Sequence, residues 1–498
     1  MKLEIKNSPI KFPADSVIAG ILDQNEILFK GLPGKALDLA HKYQKDIMHN
    51  KTKTPLLIPL MDHKQDSFLF FAALESVKYY SRNEAVKILA YKALQKMRDL
   101  GRKNLIFLVD TKKAADIAPL LAEGLLLGAY RFDRYLSKKD QTPTDECVTF
   151  VCNPSDKPGI LNQLKTVIPI CESVNSAREI IDEPSDVVTP EALAKRARSI
   201  ARRYNLRCRI LDEKQLAKQG YNGLLTVGAG SPHPPRLIVL EYIPRKSSAN
   251  KHLCIVGKGI TFDTGGICLK PAKKMWEMKT DMSGAAAALH AIEAAARLSI
   301  PLRISSVIPA AENAIGRQAN LPGYIFRAKN GKTVHVINTD AEGRLILTDA
   351  FAAARDLKPS HLVDLATLTG SCISALGYFL SGLFGNDPAF NKLYLELAEK
   401  AGEPCWELPL HNEYMQYLSC DFADINNIGA ISEGGAIQAA LFLSEFIPEG
   451  VPWIHLDIAG PARIGKDIAG DQWKYLRAGA SGVGIRALIL LARRLAGD

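Results

Sequence analysis

The sequence contains no long hydrophobic run and few cysteines. Across its 498 residues the apolar stretches are short pieces, such as residues 124–128 and 487–492, whereas a membrane-spanning helix needs about 20 apolar residues. The first twelve residues, MKLEIKNSPIKF, are charged from the second residue on and lack the apolar core of a secretory signal. The nine cysteines form no CxxC pair, so we expect reduced thiols and a cytoplasmic location. Because no apolar run is long enough to span a membrane, we expect no membrane partner.

Aromatic residues are also scarce, at 7% of the chain, while hydrophobic residues make up 47% and charged residues 23%. These fractions are those of an ordinary globular protein and exclude a disordered, collagen-like or coiled-coil chain. At about 100–200 residues per domain, the length predicts two or three domains. A core with few aromatics suits layers of helices and sheets built from aliphatic side chains.

The net charge of +10 is spread unevenly. Residues 1–180 contain 27 Lys and Arg against 21 Asp and Glu, which leaves +6 on well under half of the chain. A basic N-terminal part is compatible with a nucleic-acid surface. A solvated basic face is the simpler interpretation, because no run of Lys and Arg with interleaved aromatics is present.

Short apolar strands alternate with amphipathic helices along the whole chain, which predicts an α/β fold. In the N-terminal part, residues 105–109 have the pattern of a buried strand and residues 84–100 that of a helix. Turn-forming residues cluster at 153–159 and at 182–190 and indicate a boundary. We therefore predict three segments: an N-terminal α/β domain at 1–160, a linker helix region at 161–190 and a C-terminal catalytic domain at 191–498.

Three stretches of the C-terminal part contain residue types suited to catalysis. The first, KGITFDTGGICLK at 258–270, follows the apolar strand LCIV and contains Lys258, Asp263 and Lys270. Strand ends are where ligands bind in open α/β sheets. A phosphate-binding loop is an alternative, but the stretch lacks the GxxxxGK[ST] pattern and places Asp263 where it would repel phosphate.

The other two stretches each place a carboxylate at a turn or helix start. MKTDMSG at 278–284 has Asp281 just before an Ala-rich helix, where its simplest role is a helix N-cap. VINTDAEGRL at 336–345 has Asp340, Glu342 and Arg344 at alternate positions, so that the three side chains can face one side of an extended or turn segment. Taken alone, that pattern is also typical of a surface turn.

Four carboxylates, those of Asp263, Asp281, Asp340 and Glu342, fall within residues 263–342. In one cleft they would repel one another and lose hydration, and cations would relieve both costs. Oxygen ligands suit Mg²⁺ or Mn²⁺, and Zn²⁺ where carboxylates are numerous; aminopeptidases and phosphatases use pairs of such ions. The sequence has neither the HExxH nor the CxxC pattern of a single-zinc site, and His335, on an alternating apolar strand, is expected to be structural.

NTDAEGRL at 338–345 resembles the signature of the leucyl aminopeptidase family of two-metal exopeptidases. VGKGITFDTGG at 256–266 and MKTDMSGAAA at 278–287 resemble the family's other two motifs in order and spacing, and further similar segments extend the resemblance over about residues 175–498. Thr264 and Thr280 depart from the usual pattern, but neither stands at a ligand position. The resemblance implies a smaller N-terminal α/β domain and a larger C-terminal α/β domain whose mixed, mostly parallel sheet is flanked by helices.

The resemblance also implies a site for two divalent metal ions, Mn²⁺ or Zn²⁺. Lys258 matches an unusual lysine ligand, whose amine must be neutral to bind a cation, so a nearby cation must lower its pKa from about 10.4. Asp263 and Glu342 match the carboxylates that both ions share. Asp281 would bind the more exchangeable ion together with Lys258, and Asp340 would bind the other.

Lys270 and Arg344 match the family's two catalytic residues. Lys270 can polarise the scissile carbonyl and stabilise its oxyanion. The guanidinium fork of Arg344 suits bicarbonate, which in the family is thought to act as the general base. The backbone at Ala341, Gly343 and Leu368 would help to hold that anion.

Peptide substrates and a homohexamer are further implications of the resemblance. Met278, Thr367 and Gly370 match positions that line the pocket for the first side chain, and a pocket of Met and small residues should favour Leu and Met. Ordinary core packing is the alternative role for Met278. Some bacterial family members also bind DNA, which the basic N-terminal part keeps open here, and a two-metal phosphoesterase is the alternative enzyme.

Overall fold

The computed structural model describes residues 1–8, 15–23, 26–27, 38, 56–62, 65–74, 77, 80–109, 114–137, 145–245, 251–465 and 475–497. No helix among them is both long and apolar enough to cross a membrane. The chain divides into two compact units, residues 1–172 with 473–477 and residues 173–472 with 478–498. Strands and helices are numbered below in chain order.

The smaller unit is built on a seven-stranded sheet. Its elements are β1 (Lys2–Asn7), β2 (Ser16–Asp23), β3 (Glu26–Ile27), β4 (Leu56–Asp62), β5 (Gln65–Ala73), α1 (Arg82–Asp99), β6 (Asn104–Leu108), α2 (Ala114–Ala129) and β7 (Cys147–Cys152). The spatial order is β1-β7-β6-β2-β5-β4, with β3 beside β2. Neighbours from β1 to β5 run parallel, and β4 and β3 join antiparallel. The strand and helix predicted at 105–109 and 84–100 are observed as β6 and α1.

The larger unit contains a nine-stranded sheet that is mixed and mostly parallel, as expected. Its strands are β8 (Arg207–Leu211), β9 (Arg236–Tyr242), β10 (His252–Gly257), β11 (Gly259–Asp263), β12 (Arg303–Asn313), β15 (His361–Ala366), β16 (Ser381–Gly385), β17 (Cys405–Glu407) and β19 (Trp453–Asp457). They follow the order β17-β16-β19-β15-β10-β12-β9-β8, and β11 pairs with β12. The central strands β19, β15, β10 and β12 are parallel, while β8, β9 and β16 introduce the antiparallel pairs.

Small sheets and helices complete this unit. The remaining strands are β13 (Tyr324–Arg327), β14 (Thr333–Val336), β18 (Ile425–Asn426), β20 (Arg463–Ile464) and β21 (Gly479–Ala480). The helices are α4 (Pro190–Tyr204), α5 (Glu213–Gln219), α6 (Asn222–Gly228), α7 (Ser283–Arg297), α8 (Glu342–Asp356), α9 (Gly370–Leu376), α10 (Pro388–Ala401), α11 (Gly435–Ser444) and α12 (Ile485–Ala496), with 3₁₀ turns at Met275–Thr280 and Asn412–Leu418. Helix α3 (Lys157–Asp182) contains residues of both units.

Composition explains why α7 lies deep in the larger unit. Every residue from Ser283 to Ala295 is buried, and the small side chains of this Ala-rich stretch allow close packing on all sides. The helix starts against the carboxyl end of β10, where the Ala285 N–H donates to the Lys258 carbonyl at 2.8 Å. This contact brings the start of α7 to the edge of the sheet where the parallel strands end.

Candidate functional site

The polar residues of the motifs gather at the carboxyl edge of the central sheet. Lys258 follows β10, Asp263 is the last residue of β11, and Thr367 follows β15. Two further residues that the sequence analysis did not single out, Asn313 and Asp457, end β12 and β19. Because ligands of open α/β sheets bind beyond the carboxyl ends of the strands, this edge is the candidate site.

Three of the four carboxylates form one cluster. Asp263, Asp340 and Glu342 each offer an oxygen, and these oxygens all lie within 4.8 Å of one another. Two buried oxygens of the site, Oδ2 of Asp281 and Oε2 of Glu342, have no hydrogen-bond partner in the part of the chain that the structure describes. Burying a carboxylate oxygen without a donor is costly, and such oxygens are the ligands preferred by hard divalent cations. The residues therefore fit a metal site.

Two lysines lie between these carboxylates. The Lys258 ammonium lies 2.8 Å from Asp281 Oδ1 and 3.1 Å from Glu342 Oε1, and it also donates to the Thr367 carbonyl at 2.8 Å. The Lys270 ammonium lies 2.9 Å from Asp263 Oδ2 and 2.6 Å from Asp340 Oδ1. Two positive charges thus face four carboxyl groups, so further positive charge would stabilise the cluster.

Burial and mutual repulsion shift the titration of this cluster. Burial, with the neighbouring charge of Asp263, raises the pKa of Glu342 to about 8. Burial also raises the pKa of Asp281 to about 6, although the Lys258 ammonium opposes the shift. For Lys258, burial alone would lower the pKa, but the surrounding carboxylates outweigh it and raise the pKa. All three shifts show that this pocket favours added positive charge.

The loop after β11 is shaped by two adjacent glycines. Gly265 and Gly266 have φ angles of +86° and +65°, a region that other residues rarely adopt. A Cβ on Gly265 would lie 2.9 Å from Asp340 Oδ1, so the loop backbone passes close to that carboxylate. Asp263 Oδ1 accepts hydrogen bonds from the Gly265 N–H at 2.9 Å and from Asn313 Nδ2 at 2.8 Å. These bonds fix the carboxylate and leave Oδ2 for Lys270.

Arg344 is buried at the start of α8. Its Nη1 donates to the Asn427 carbonyl at 2.7 Å, and its Nε has no hydrogen-bond partner among the described residues. Burial lowers the pKa of Arg344 to about 10, which still leaves it charged near neutral pH. The preceding turn is fixed by Asn338, whose Oδ1 accepts from the Asp340 N–H at 2.8 Å.

The expected anion and substrate positions adjoin this cluster. Thr367 Oγ1 donates to Asp281 Oδ1 at 2.7 Å, and the Leu368 N–H donates to Asp457 Oδ1 at 3.2 Å. Gly370 begins α9, and a Cβ added there would meet no atom within 4 Å. Half-buried Met278 lies in the 3₁₀ turn Met275–Thr280, and its carbonyl accepts from the Asp281 N–H at 3.2 Å. Gly370 is exposed, so the space beside it is open to solvent.

Two alternative interpretations can be compared with these contacts. Asp281 is not the N-cap of α7, because Met282 occupies that position and makes no capping bond, while the Asp281 side chain contacts Lys258 and Thr367. His335 lies on β14, where its Nδ1 is 2.9 Å from Asn426 Oδ1 and 3.5 Å from Cys420 Sγ. Asn426 belongs to β18, which pairs with β14, so the first contact joins two strands of the three-stranded sheet β13-β14-β18.

Comparison with known proteins agrees with this geometry. Residues 175–489 match the model of the cytosol aminopeptidase family, catalytic domain, and residues 78–139 match that of the family's N-terminal domain. The chain belongs to the cytosol aminopeptidase family. The resemblance drawn from the three motifs is thereby confirmed, and the chain is classed with metal-dependent exopeptidases.

Individual relatives cover most of the chain. A probable cytosol aminopeptidase of Solibacter usitatus is 44% identical over 78% of this chain and 79% of its own length. One of Streptomyces avermitilis is 43% identical over 80% and 77%. Among solved structures, the bottromycin maturation enzyme BotP in complex with Mn has a TM-score of 0.82 and 30% identity, covering 97% of this chain and 100% of that one.

The contact between Gly343 and Lys258 predicts the effect of a single methyl group. A Cβ on Gly343 would lie 2.3 Å from Lys258 Cε. Ala is the better helix former by about 0.8–1.0 kcal/mol, so Gly343→Ala should stay folded while displacing the flexible lysine. We expect aminopeptidase activity to fall at least about 10-fold with little change in Tm. Gly159→Ala, at an exposed position in the first turn of α3, should keep full activity and not lower Tm; full activity of Gly343→Ala would contradict the prediction.

Proposed function

We propose that the protein is a metal-dependent aminopeptidase that releases N-terminal residues from peptides with the help of two divalent cations. The observation that carries this proposal is the cluster of buried Asp263 and Glu342 with half-buried Asp340, with Lys258 and Asp281 beside it and carboxylate oxygens left without donors. Family membership supports the reaction class. The paired ions and the residue roles rest on the geometry and on the sequence resemblance.

The donor set suggests how the cations would be held. Asp263 and Glu342 would be the carboxylates available to both cations, Asp281 and a neutral Lys258 would serve one of them, and Asp340 would serve the other. Mn²⁺ and Zn²⁺ are the proposed ions, since a structural neighbour is a complex with Mn and carboxylates suit Mn²⁺. When bound, the cations supply Lewis-acid polarisation, a water made nucleophilic near neutral pH and a ligand for the substrate's free α-amine.

Lys270 and Arg344 are the proposed catalytic residues of the chain. Lys270 is partly exposed at 22% of its side-chain surface, so its ammonium can reach a bound peptide and stabilise the charge that develops on the scissile carbonyl oxygen. Arg344 commits Nη1 to Asn427 and has donors left to hold bicarbonate, an anion suited to accept a proton. The backbone at Ala341, Gly343 and Leu368 is proposed to assist; the N–H groups of Ala341 and Leu368 already donate to the Asn338 carbonyl and to Asp457 Oδ1.

The first prediction from this proposal concerns the metals. Metal-stripped protein should not cleave leucine p-nitroanilide, and adding Mn²⁺ or Zn²⁺ should restore cleavage, with Mg²⁺ tested alongside. Asp340→Ala should lower kcat/KM by more than about 100-fold. Loss of a residue that only hydrogen-bonds to a metal ligand costs about 10–100-fold, and Asp340 is proposed to bind the cation directly. Asp186→Ala, an exposed carboxylate outside the site, is the control. Turnover of phosphate esters without amide cleavage would instead support a phosphoesterase.

The second prediction concerns the first side chain of the peptide. We propose a preference for Leu and Met, supported by the open space beside exposed Gly370 and by the place of Met278, whose carbonyl accepts from the Asp281 N–H. Met278→Ala should lower kcat/KM for leucine p-nitroanilide by about 10-fold and shift preference toward Phe, because one or two methylene contacts are worth roughly 1–3 kcal/mol. Met415→Ala, a half-buried methionine in the other 3₁₀ turn, should not. Unchanged selectivity would place Met278 in ordinary packing.

The cellular location and the assembly of the chain are further parts of the proposal. A cytoplasmic location is supported by the names of the relatives and by the nine cysteines, none of which forms a disulfide. A homohexamer is proposed from the family resemblance alone, and light scattering of the purified chain would measure it.

DNA binding is a second candidate function, favoured by a basic helix face in the larger unit. Lys195, Arg198, Ser199, Arg202 and Arg203 lie at helical spacing on one open face of α4. Residues 190–211 contain seven Lys and Arg against one acid, Glu191. Such a surface can replace the counterions of a phosphate backbone. The basic N-terminal part, for which the sequence left DNA binding open, is the competing location.

Salt dependence distinguishes the two locations. The full chain should be retained on duplex DNA at low salt, and changing both Arg202 and Arg203 to Gln should reduce the slope of log K against log salt by about 2. Changing exposed Lys392 and Lys400 of α10 is the charge-matched control. An unaltered slope would favour the N-terminal part, and no retention at low salt would rule out DNA binding.

A further inference from the structure

One buried residue far from the motifs in sequence contacts both the metal-ligand turn and the proposed catalytic arginine. Asn427 has no exposed surface and directly follows β18, which pairs in parallel with β14. Its N–H continues that ladder by donating to the His335 carbonyl at 2.9 Å. The chain of β14 then leads through residues 337–339 to Asp340. Asn427 therefore lies beside the segment that delivers the Asp340 carboxylate.

The Asn427 side chain acts as an extra peptide group at the end of the ladder. Its Oδ1 accepts from the Ile337 N–H at 2.8 Å and from the Asn338 N–H at 3.3 Å, and its Nδ2 donates to the Asn338 carbonyl at 2.7 Å. An amide pairs with a backbone in this way because it has both a donor and an acceptor. The pairing holds Asn338, which in turn receives the Asp340 N–H.

The Asn427 backbone carbonyl supplies the second contact. It accepts from Arg344 Nη1 at 2.7 Å, the hydrogen bond that fixes the buried guanidinium. Asn427 therefore sets the position of two groups of the sequence NTDAEGR. Its side chain holds the turn that precedes Asp340, and its carbonyl holds the Arg344 side chain. A shift of Asn427 would move both groups together.

We propose that Asn427 is a positioning residue of the aminopeptidase site, which holds Asp340 and Arg344 in register through the turn at Asn338. It acts through these residues and does not itself contact substrate. The proposal rests on the proposed metal-dependent function and extends it to a residue outside all three motifs. Outer partners that orient ligands influence metal affinity about 10–100-fold, which sets the expected effect.

The test measures Mn²⁺ binding by calorimetry on metal-stripped full-length protein, beside steady-state kinetics. Asn427→Ala should weaken Mn²⁺ binding at least about 10-fold. It should also lower kcat more than it raises KM, because positioning matters most in the transition state. Asn391→Ala is the matched control, since Asn391 is also a buried asparagine, 3% exposed, whose Nδ2 donates to Glu407 in a place remote in sequence from the motifs. It should lose stability and keep Mn²⁺ affinity.

Two neutral variants keep the test decisive if Asn427→Ala does not fold. Asn427→Ser keeps a small polar group at the buried position but cannot pair with the Asn338 backbone as an amide does, and Asn338→Ala, at a half-buried position, removes the bond to the Asp340 N–H while keeping the backbone groups that pair with Asn427. Both should weaken Mn²⁺ binding in the same direction. Wild-type Mn²⁺ affinity and kcat in the folded variants would overturn the proposal. Failure of the wild-type protein to bind Mn²⁺ or cleave peptides would instead overturn the proposed function.

Discussion

Asp263, Asp281 and Glu342 are at most 6% exposed, and their charges must be balanced within the protein because water cannot do so. Lys258 and Lys270 provide part of that balance, each lying between two carboxylates. Lone buried charges are costly, and pairing offsets the cost only when the geometry is good. The two lysines keep the acids together without metal, and the unpartnered oxygens leave room for cations.

Buried polar groups at the strand ends hold the carboxylates and loops of the site in place through hydrogen bonds. Asn313 donates through one Nδ2 to Asp263 Oδ1 at 2.8 Å and to the Thr339 carbonyl at 3.0 Å, which ties two of the motifs together. Asp457 accepts from the Leu368 N–H and from Thr369 Oγ1 at 3.2 and 2.7 Å. The loop after β15 is thereby held on the end of β19. Such hydrogen bonds order the site side chains in advance, so binding of a ligand costs less conformational entropy.

Much of the site could be predicted from the sequence because its ligands occur in compact, ordered motifs. Asp340, Glu342 and Arg344 are separated by single residues, so one turn and a helix start suffice to bring them to the same place. The α/β character followed from alternating apolar strands and helices. Asn313 and Asn427 could not be predicted in the same way, since each lies at or just after a strand end outside the three motifs, and its partners are defined only by strand pairing. The simplest role of Asp281, a helix cap, proved wrong because Met282 comes between it and α7.

The close contact of Lys258 with Gly343 shows why two motifs distant in sequence depend on each other. The lysine stem occupies the space in which any Cβ at position 343 would lie. Its ammonium can then reach Glu342 on the same first turn of α8 as well as Asp281 at the start of α7. Gly284 makes a comparable approach, since its Cβ would lie 2.1 Å from the Leu365 carbonyl and 2.9 Å from the Lys258 N atom. Gly343 is therefore required by the Lys258 side chain and Gly284 by the backbone at the ends of β15 and β10, and a larger residue at position 343 would separate the acids from the cation that balances them.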